Sequence, residues 1–261
     1  MIALPKLDFE QLLQKLTSFL VLEIGKTGLK KAVLGLSGGL DSALVASLAA
    51  KALGKENVTG ILMPYRTSSA KSTEDALKVV ENTGINSLKI EISAVVDAFA
   101  ANNMTNPDFS RKGRLGNIMA RTRMMTLFDF SAANGAIVLG TGNKSEIELG
   151  YFTMFGDGAS AINPIGSIYK TDIFEFARYL GLPASVIEKA PSADLFEGQT
   201  DEGEIGYSYQ AMDPVIHAIS DLGMSEEEII RNGFDEKLVR FVKKRINSMC
   251  YKRNVPIVAK I

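Results

Sequence analysis

The chain has 261 residues, with Lys+Arg 29 against Asp+Glu 30, hence a formal net charge of −1. Hydrophobic residues make up 46% and charged residues 23%, enough for one domain (residues 1–261) with a sizeable core, and the near-neutral balance excludes a chain built mainly to coat nucleic acid or an acidic membrane. A single Cys (Cys250) and a single His (His217) exclude an internal disulfide, a Cys/His zinc site and a multi-His metal centre, and they argue against a His-based triad.

Met1 to Glu10 lacks a basic region followed by an apolar run, so no signal peptide is expected. The most apolar stretch, Ala32 to Ala50, is broken by Ser37-Gly38-Gly39 and Asp41, a poor fit to a membrane span. The expectation is a reduced, cytoplasmic protein with neither membrane nor nucleic acid as partner.

Phe9, Leu12, Leu13, Leu16, Phe19 and Leu20 recur at helical spacing, which predicts an amphipathic helix from Asp8 to about Lys26. Lys31 to Leu36 reads as a buried strand, Asp41 to Leu53 as a helix and Val58 to Met63 as the next strand, ended by Pro64. Ala70 to Asn82 reads as helix, Ser87 to Ile92 as strand, Thr105 to Gly113 as a polar loop and Arg114 to Ala133 as a long helix. Ala136 to Leu139 is again strand-like, and Thr171 to Leu180 is a helix stopped by Gly181 and Pro183. Strands alternating with helices of this length predict an α/β fold: an open, mainly parallel sheet with helices on both faces. Ser192 to Gly206 is acidic with three glycines and predicts a mobile loop that could act as a lid. Lys237 to Arg253 holds seven basic residues and no acid; a solvated helix face, a dinucleotide contact and a nucleic-acid contact are its three readings.

Chemistry concentrates in Gly35-Leu36-Ser37-Gly38-Gly39-Leu40-Asp41-Ser42, between a strand and a helix. Small residues let the backbone turn tightly and present N–H groups to an anion, and the helix N-terminus adds positive partial charge. The absence of a Lys excludes a Walker A loop, and Ser37 breaks the GxGxxG spacing. A carboxylate among phosphates is repulsive unless a cation lies between them, so Asp41 implies Mg²⁺.

The segment SGGLDS resembles the hallmark of the ATP pyrophosphatase (PP-loop) family, of adenine nucleotide alpha hydrolase-like, Rossmann-like fold. Further along, Gly116-Asn117-Ile118-Met119-Ala120-Arg121-Thr122-Arg123-Met124, Gly140-Thr141 with Glu146, Gly150-Tyr151-Phe152-Thr153 and Gly156-Asp157-Gly158 resemble the bacterial ammonia-dependent NAD synthetases. Asn163-Pro164-Ile165, Lys170 and Lys189-Ala190-Pro191-Ser192-Ala193-Asp194-Leu195 continue the likeness in the same order.

The resemblance implies ATP-dependent amidation of deamido-NAD by free ammonia: the nicotinate carboxylate attacks the α-phosphorus, pyrophosphate leaves, and ammonia displaces AMP. It implies that Gly35, Leu36, Ser37, Gly38, Gly39, Leu40, Asp41 and Ser42 hold the ATP phosphates, with Arg66, Thr141, Lys170 and Ser192 as further ATP contacts. Asp41 and Glu146 correspond to Mg²⁺ ligands, and Asp41 and Lys170 to the catalytic pair. Arg121, Tyr151, Phe152, Tyr251 and Lys252 match deamido-NAD contacts. Met154 and Ala161 depart from the Lys and Asp frequent in relatives. A homodimer is implied, as is the lack of a glutaminase domain. Another PP-loop ligase, such as a GMP-synthetase-like amidating enzyme, is the alternative.

Overall fold

A computed structural model describes residues 2–103, 111–192, 200–253 and 258–259. Helix α1 (Phe9–Lys26) starts at Asp8, whose carboxylate accepts from the Glu10 and Gln11 N–H groups, and buries Leu16, Leu20 and Ile24. Strand β1 (Lys31–Gly35) leads into α2 (Leu40–Leu53), a short 3₁₀ turn, and β2 (Val58–Leu62). Helix α3 (Ala70–Thr83), β3 (Asn86–Lys89), α4 (Ser93–Asn103), α5 (Arg111–Asn134) and β4 (Ala136–Val138) complete the alternation. The carboxy-terminal half is helical: α6 (Lys144–Leu149), α7 (Lys170–Tyr179), α8 (Ala184–Ile187), α9 (Asp201–Ile205), α10 (Tyr209–Ser220), α11 (Glu226–Arg231) and α12 (Glu236–Ser248).

The four strands are all parallel, in the order β3-β2-β1-β4. Ala32 pairs with Val58 and with Ile137 across the two inner ladders, and Thr59 pairs with Asn86 across the third. Successive strand residues face opposite sides of a sheet, and the core divides accordingly. Ala32 and Leu34 pack with α1, α2, α7 and α8 on one face; Val33 and Ile61 pack with Met119 of α5 and Val96 of α4 on the other. A third core joins α6, α10, α11 and α12 around Tyr209, Met212 and Val239. The sheet with helices on both faces is therefore as expected, and short turns lead from β1 into α2 and from β4 into α6.

Three boundaries differ from expectation. Strand β3 ends at Lys89, although the Ile90 and Ile92 N–H groups still donate to the Leu62 and Pro64 carbonyls. Pro64 has no N–H to return, so the ladder stops there. Arg111 to Gly113 belong to α5 and not to a loop, whereas residues 104–110 lie outside those described. In the acidic segment expected to be a mobile loop, Asp201 to Ile205 form a helix: the Thr200 hydroxyl accepts from the Gly203 N–H, and Asp201 is buried. Asp194 and Glu197 of that segment fall among residues 193–199, outside those described.

His217 is an ordinary satisfied residue of α10, its Nδ1 2.7 Å from Asp221 Oδ2. Asp221 also accepts from Lys144 Nζ and, at 2.8 Å, from the Tyr169 hydroxyl, which ties α10 to α6 and α7. Burial alone would raise its carboxyl, but the hydrogen bonds from Lys144, His217 and Tyr169 outweigh that and hold it at about 2. A carboxyl lowered by folding stabilises the fold at pH values above its unfolded pKa, and the gain is lost as pH falls through the folded value. Between pH 4 and 2 the wild-type chain should therefore lose on the order of 1 kcal/mol from this group, allowing for its partial exposure. Urea melts of wild type and Asp221→Asn should draw together across that window; a gap as wide at pH 2 as at pH 4 would contradict the assignment.

Candidate active site

The β1–α2 turn, the β4–α6 turn and the start of α7 converge on one cavity of about 700 Å³. In the first turn the Gly39 N–H donates to Ser37 Oγ at 3.1 Å, and Ser42 Oγ donates to the Gly39 carbonyl at 3.0 Å. Gly38 has φ +74°, and a Cβ there would lie 2.1 Å from the Ser72 carbonyl oxygen, so only glycine fits between the turn and α3. The N-cap of α2 is Gly39, which has no side chain with which to cap, so the first N–H groups of a fourteen-residue helix face the cavity mouth uncapped. Such a helix start attracts an anion through its orphan donors and its dipole.

Asp41 stands in the first turn of α2. Its Oδ1 accepts from Asn143 Nδ2 at 3.2 Å and its Oδ2 from Lys170 Nζ. Lys170 is 2% exposed, with Glu146 Oε1 3.9 Å from the same ammonium on the other side. Glu146 is placed by a capping box: its N–H donates to Asn143 Oδ1 at 3.0 Å while its own carboxylate accepts from the Asn143 N–H at 3.2 Å. Burial and then the Asp41 charge push Glu146 up to about 8, with Lys170 opposing. Two carboxylates thus share one lysine, and added positive charge would let both stay ionised.

Lys170 is itself anchored from below. Its N–H donates to Ser145 Oγ at 2.9 Å, Ser145 Oγ donates to Asp213 Oδ1 at 2.6 Å, and the Thr171 N–H donates to Asp213 Oδ2 at 3.0 Å. The N-cap residue of α7, Tyr169, makes no side-chain cap, so Ser145 and Asp213 satisfy that helix start from other elements.

Of the residues expected at the site, Gly35, Leu36, Ser37, Gly39, Leu40, Asp41, Ser42, Thr141, Glu146, Tyr151, Phe152, Lys170, Ser192 and Lys252 line the cavity. Gly38 turns behind the lining, where its carbonyl meets Lys189. Arg66, Arg121 and Tyr251 do not line it. Arg66 Nη2 donates to Asp97 Oδ1 at 2.8 Å and lies near the Tyr65 ring. Arg121 Nη2 donates to the Met154 carbonyl at 3.2 Å, and Tyr251 is exposed.

At the far end Lys252 Nζ donates to the Gly150 and Phe152 carbonyls at 2.8 and 2.7 Å and stands over the Phe152 ring. Burial and then Arg245 lower its ammonium from the ordinary lysine value. Arg245 Nε donates to the Leu149 carbonyl at 2.9 Å, so the basic tail closes this wall of the cavity rather than forming only a solvated face. The Tyr151 hydroxyl donates to Glu204 Oε2 at 2.5 Å.

Spacing gave no role to several residues placed here. Asp201 lines the cavity and accepts from the Tyr209 hydroxyl at 3.3 Å. Lys189 reaches the β1–α2 turn, and Asp213 anchors Lys170. Each acts across more than seven residues of chain, and only the quoted KAPSADL run offered any signal.

The residues present suit a hard divalent cation held together with phosphate. Among the described residues no group of three or more His, Cys, Asp or Glu side chains could hold a metal unaided. Mg²⁺ ordinarily uses one or two carboxylates and completes its shell with waters and substrate phosphates, and Asp41 and Glu146 are the two carboxylates that would hold it here.

Residues 12–256 match the family model described as NAD synthase. The chain is 48% identical, over 98% of its own length and 97% of the other's, to the NH(3)-dependent NAD(+) synthetase of Fusobacterium nucleatum subsp. nucleatum. Among solved structures, the NMN synthetase from Francisella tularensis superposes with a TM-score of 0.86 at 33% identity, over 98% of this chain and 100% of that one. The NH3-dependent NAD synthetase from Campylobacter jejuni superposes with a TM-score of 0.81 at 35% identity, over 97% and 100%. A glycine-built anion turn, a buried lysine between two carboxylates and likeness over nearly the whole length agree: this chain belongs to the NAD synthase family.

Proposed function

We infer that this chain is an ammonia-dependent NAD synthetase, amidating deamido-NAD at the cost of ATP and releasing AMP and pyrophosphate. The observation that carries the reading is Asp41, a carboxylate in the first turn of an anion-binding helix start and bonded to Lys170. Nothing in the site need act as a strong base on the acceptor, because the nicotinate carboxylate is already a nucleophile. Catalysis rests on aligning that carboxylate with the α-phosphorus and on stabilising charge on the departing diphosphate.

The turn Gly35 to Ser42 binds the phosphates, and Thr141 and Ser192, which line the same cavity, are further contacts to ATP. Asp41 and Glu146 would hold Mg²⁺, which supplies charge neutralisation to the triphosphate when bound. Tyr151, Phe152 and Lys252 line the far end, where the dinucleotide fits. Arg66, Arg121 and Tyr251 stand outside the lining and reach the substrates only by changing rotamer or through a second subunit. Cavity walls of Tyr151 and Lys252 tethered to Glu204 and to backbone carbonyls shield an acyl-adenylate from water.

A homodimer fits the exposed apolar residues Val95 and Phe99 of α4 and Met125 and Phe128 of α5, two helices that pack against each other. No helix among the described residues is long and apolar enough to cross a membrane. The setting proposed is cytoplasmic.

The name of the Francisella neighbour raises a second acceptor, the deamidated mononucleotide. The test is AMP release together with the amidated product, NAD from deamido-NAD or nicotinamide mononucleotide from nicotinate mononucleotide, by the purified chain with Mg-ATP and ammonium. Dinucleotide turnover at least tenfold above mononucleotide turnover is expected, with glutamine failing to replace ammonium. The reverse preference would assign the second reading, and no turnover of either would overturn both.

A further inference from the structure

Two lysines flank the β1–α2 turn, and their electrical situations differ. Lys170 is paired with Asp41 and Glu146, and Asp201 adds a further opposing charge. Lys189 follows α8 and reaches the turn from that separate element. Its Nζ donates to Ser72 Oγ at 2.9 Å and, weakly at 3.5 Å, to the Gly38 carbonyl. Both acceptors are uncharged oxygens, and the side chain lines the cavity together with Ser37, Asp41 and Ser42. Asp75 feels the same ammonium but is bonded to Lys78 and Ser185, each at 3.0 Å.

A lysine that, among the described residues, bonds only neutral oxygens beside an anion-binding turn gains by exchanging one of them for a phosphate oxygen, since a full negative charge at hydrogen-bond distance adds a Coulombic attraction that a neutral acceptor lacks. The bond to Gly38 is long and is the one to exchange. Gly38 also fixes where the lysine stands, because its missing Cβ lets Ser72 pack against the turn.

We propose that Lys189 is a catalytic residue that receives the outgoing diphosphate of ATP, while Lys170 holds the carboxylate pair in place. The proposal rests on the ATP-dependent amidation inferred above. In the step concerned, the acceptor's carboxylate oxygen bonds to the α-phosphorus and the bond from that phosphorus to the bridging oxygen breaks. The electron pair leaves on the pyrophosphate, whose new charge Lys189 meets; no proton has to move.

Removing the charge should therefore weaken pyrophosphate and ATP together and leave the acceptor untouched. Calorimetric titration of the full chain with Mg-pyrophosphate should show Lys189→Met and Lys189→Gln binding about tenfold more weakly than wild type, equivalent to about 1.4 kcal/mol. Lys189→Arg should recover most of that loss. In steady state the ATP KM of the two neutral variants should rise about tenfold and kcat fall, with the KM for deamido-NAD unchanged within twofold. Lys189 is half-buried beyond the end of a helix, and melting temperatures within 2–4 °C of wild type would exclude a folding defect. Pyrophosphate affinity unchanged in both neutral variants, or an equal rise in both KM values, overturns the proposal. Wild type that binds pyrophosphate through Lys189 yet forms no NAD would overturn the amidation reading and leave this assignment standing.

Discussion

Replacing Asp41 by Asn should reduce NAD formation by about 10³-fold, the upper end of what single electrostatic groups contribute at a reaction centre. The substitution keeps the volume and the Asn143 contact but removes the charge that Lys170 meets. Lys170 would then keep Glu146, 3.9 Å away, and the weaker attraction of Asp201, and one of the two carboxylates available to a divalent ion would be gone. The measurement is AMP and NAD release at saturating deamido-NAD and ammonium over a Mg²⁺ titration. A loss that raised Mg²⁺ tenfold or more would restore in part is the expected pattern. Activity within tenfold of wild type at ordinary Mg²⁺ would remove Asp41 from the centre of the reaction. Asp41→Ala should behave alike in turnover and also lower the melting temperature, because a buried ammonium loses its best partner.

How much of this was legible beforehand depends on how far apart in the chain the cooperating residues stand. The turn from Gly35 to Ser42 is contiguous, and its glycines, hydroxyls and one acid sit between a strand and a helix, so the uncapped helix start that suits an anion could be read from spacing alone. The parallel sheet was legible for a related reason: buried strands read as short apolar runs separated by amphipathic helices. Helices α6 and α11, of six residues each, are too short to show a period, and capping boxes at Asn143 and Ser225 define them instead. Glu146 and Lys170 carry no local signal; only their place in an ordered likeness marked them, and their meeting at Asp41 is a property of the fold. Within the acidic segment, Asp201 to Ile205 are helical where a loop is expected, because composition counts charges without partners. Asp201 is buried beside Tyr209, and Glu204 is bonded to Tyr151, so part of a run that looked solvated forms a cavity wall. Arg66 shows the converse, a cation near the right strand end that Asp97 holds elsewhere.

The largest stability effect is expected at Asp213, a residue no motif marked. Its carboxylate is fully buried and accepts from Ser145 Oγ at 2.6 Å, from the Thr171 N–H at 3.0 Å and from Thr171 Oγ1. Asp213→Ala strands those donors inside the protein, each at a cost of about 1–3 kcal/mol less whatever water recovers, so a loss of about 3–5 kcal/mol is expected. For a chain of this size that should lower the melting temperature by roughly 10 °C. Asp213→Asn keeps the volume, yet its amide N–H₂ must point at Ser145 or at Thr171, both of which are donors here, so it should recover less than half of the loss. The same bonds hold the start of α7, and with it Lys170, in register with Asp41. The effect on chemistry can therefore be separated from the effect on folding. Assayed well below its melting temperature, Asp213→Asn should still show a reduced kcat. In a Lys170→Met background the same substitution should cost almost no further activity, because the group being aligned is already missing. Losses that multiplied in the double variant would show Asp213 to be a support of the fold with no particular bearing on Lys170.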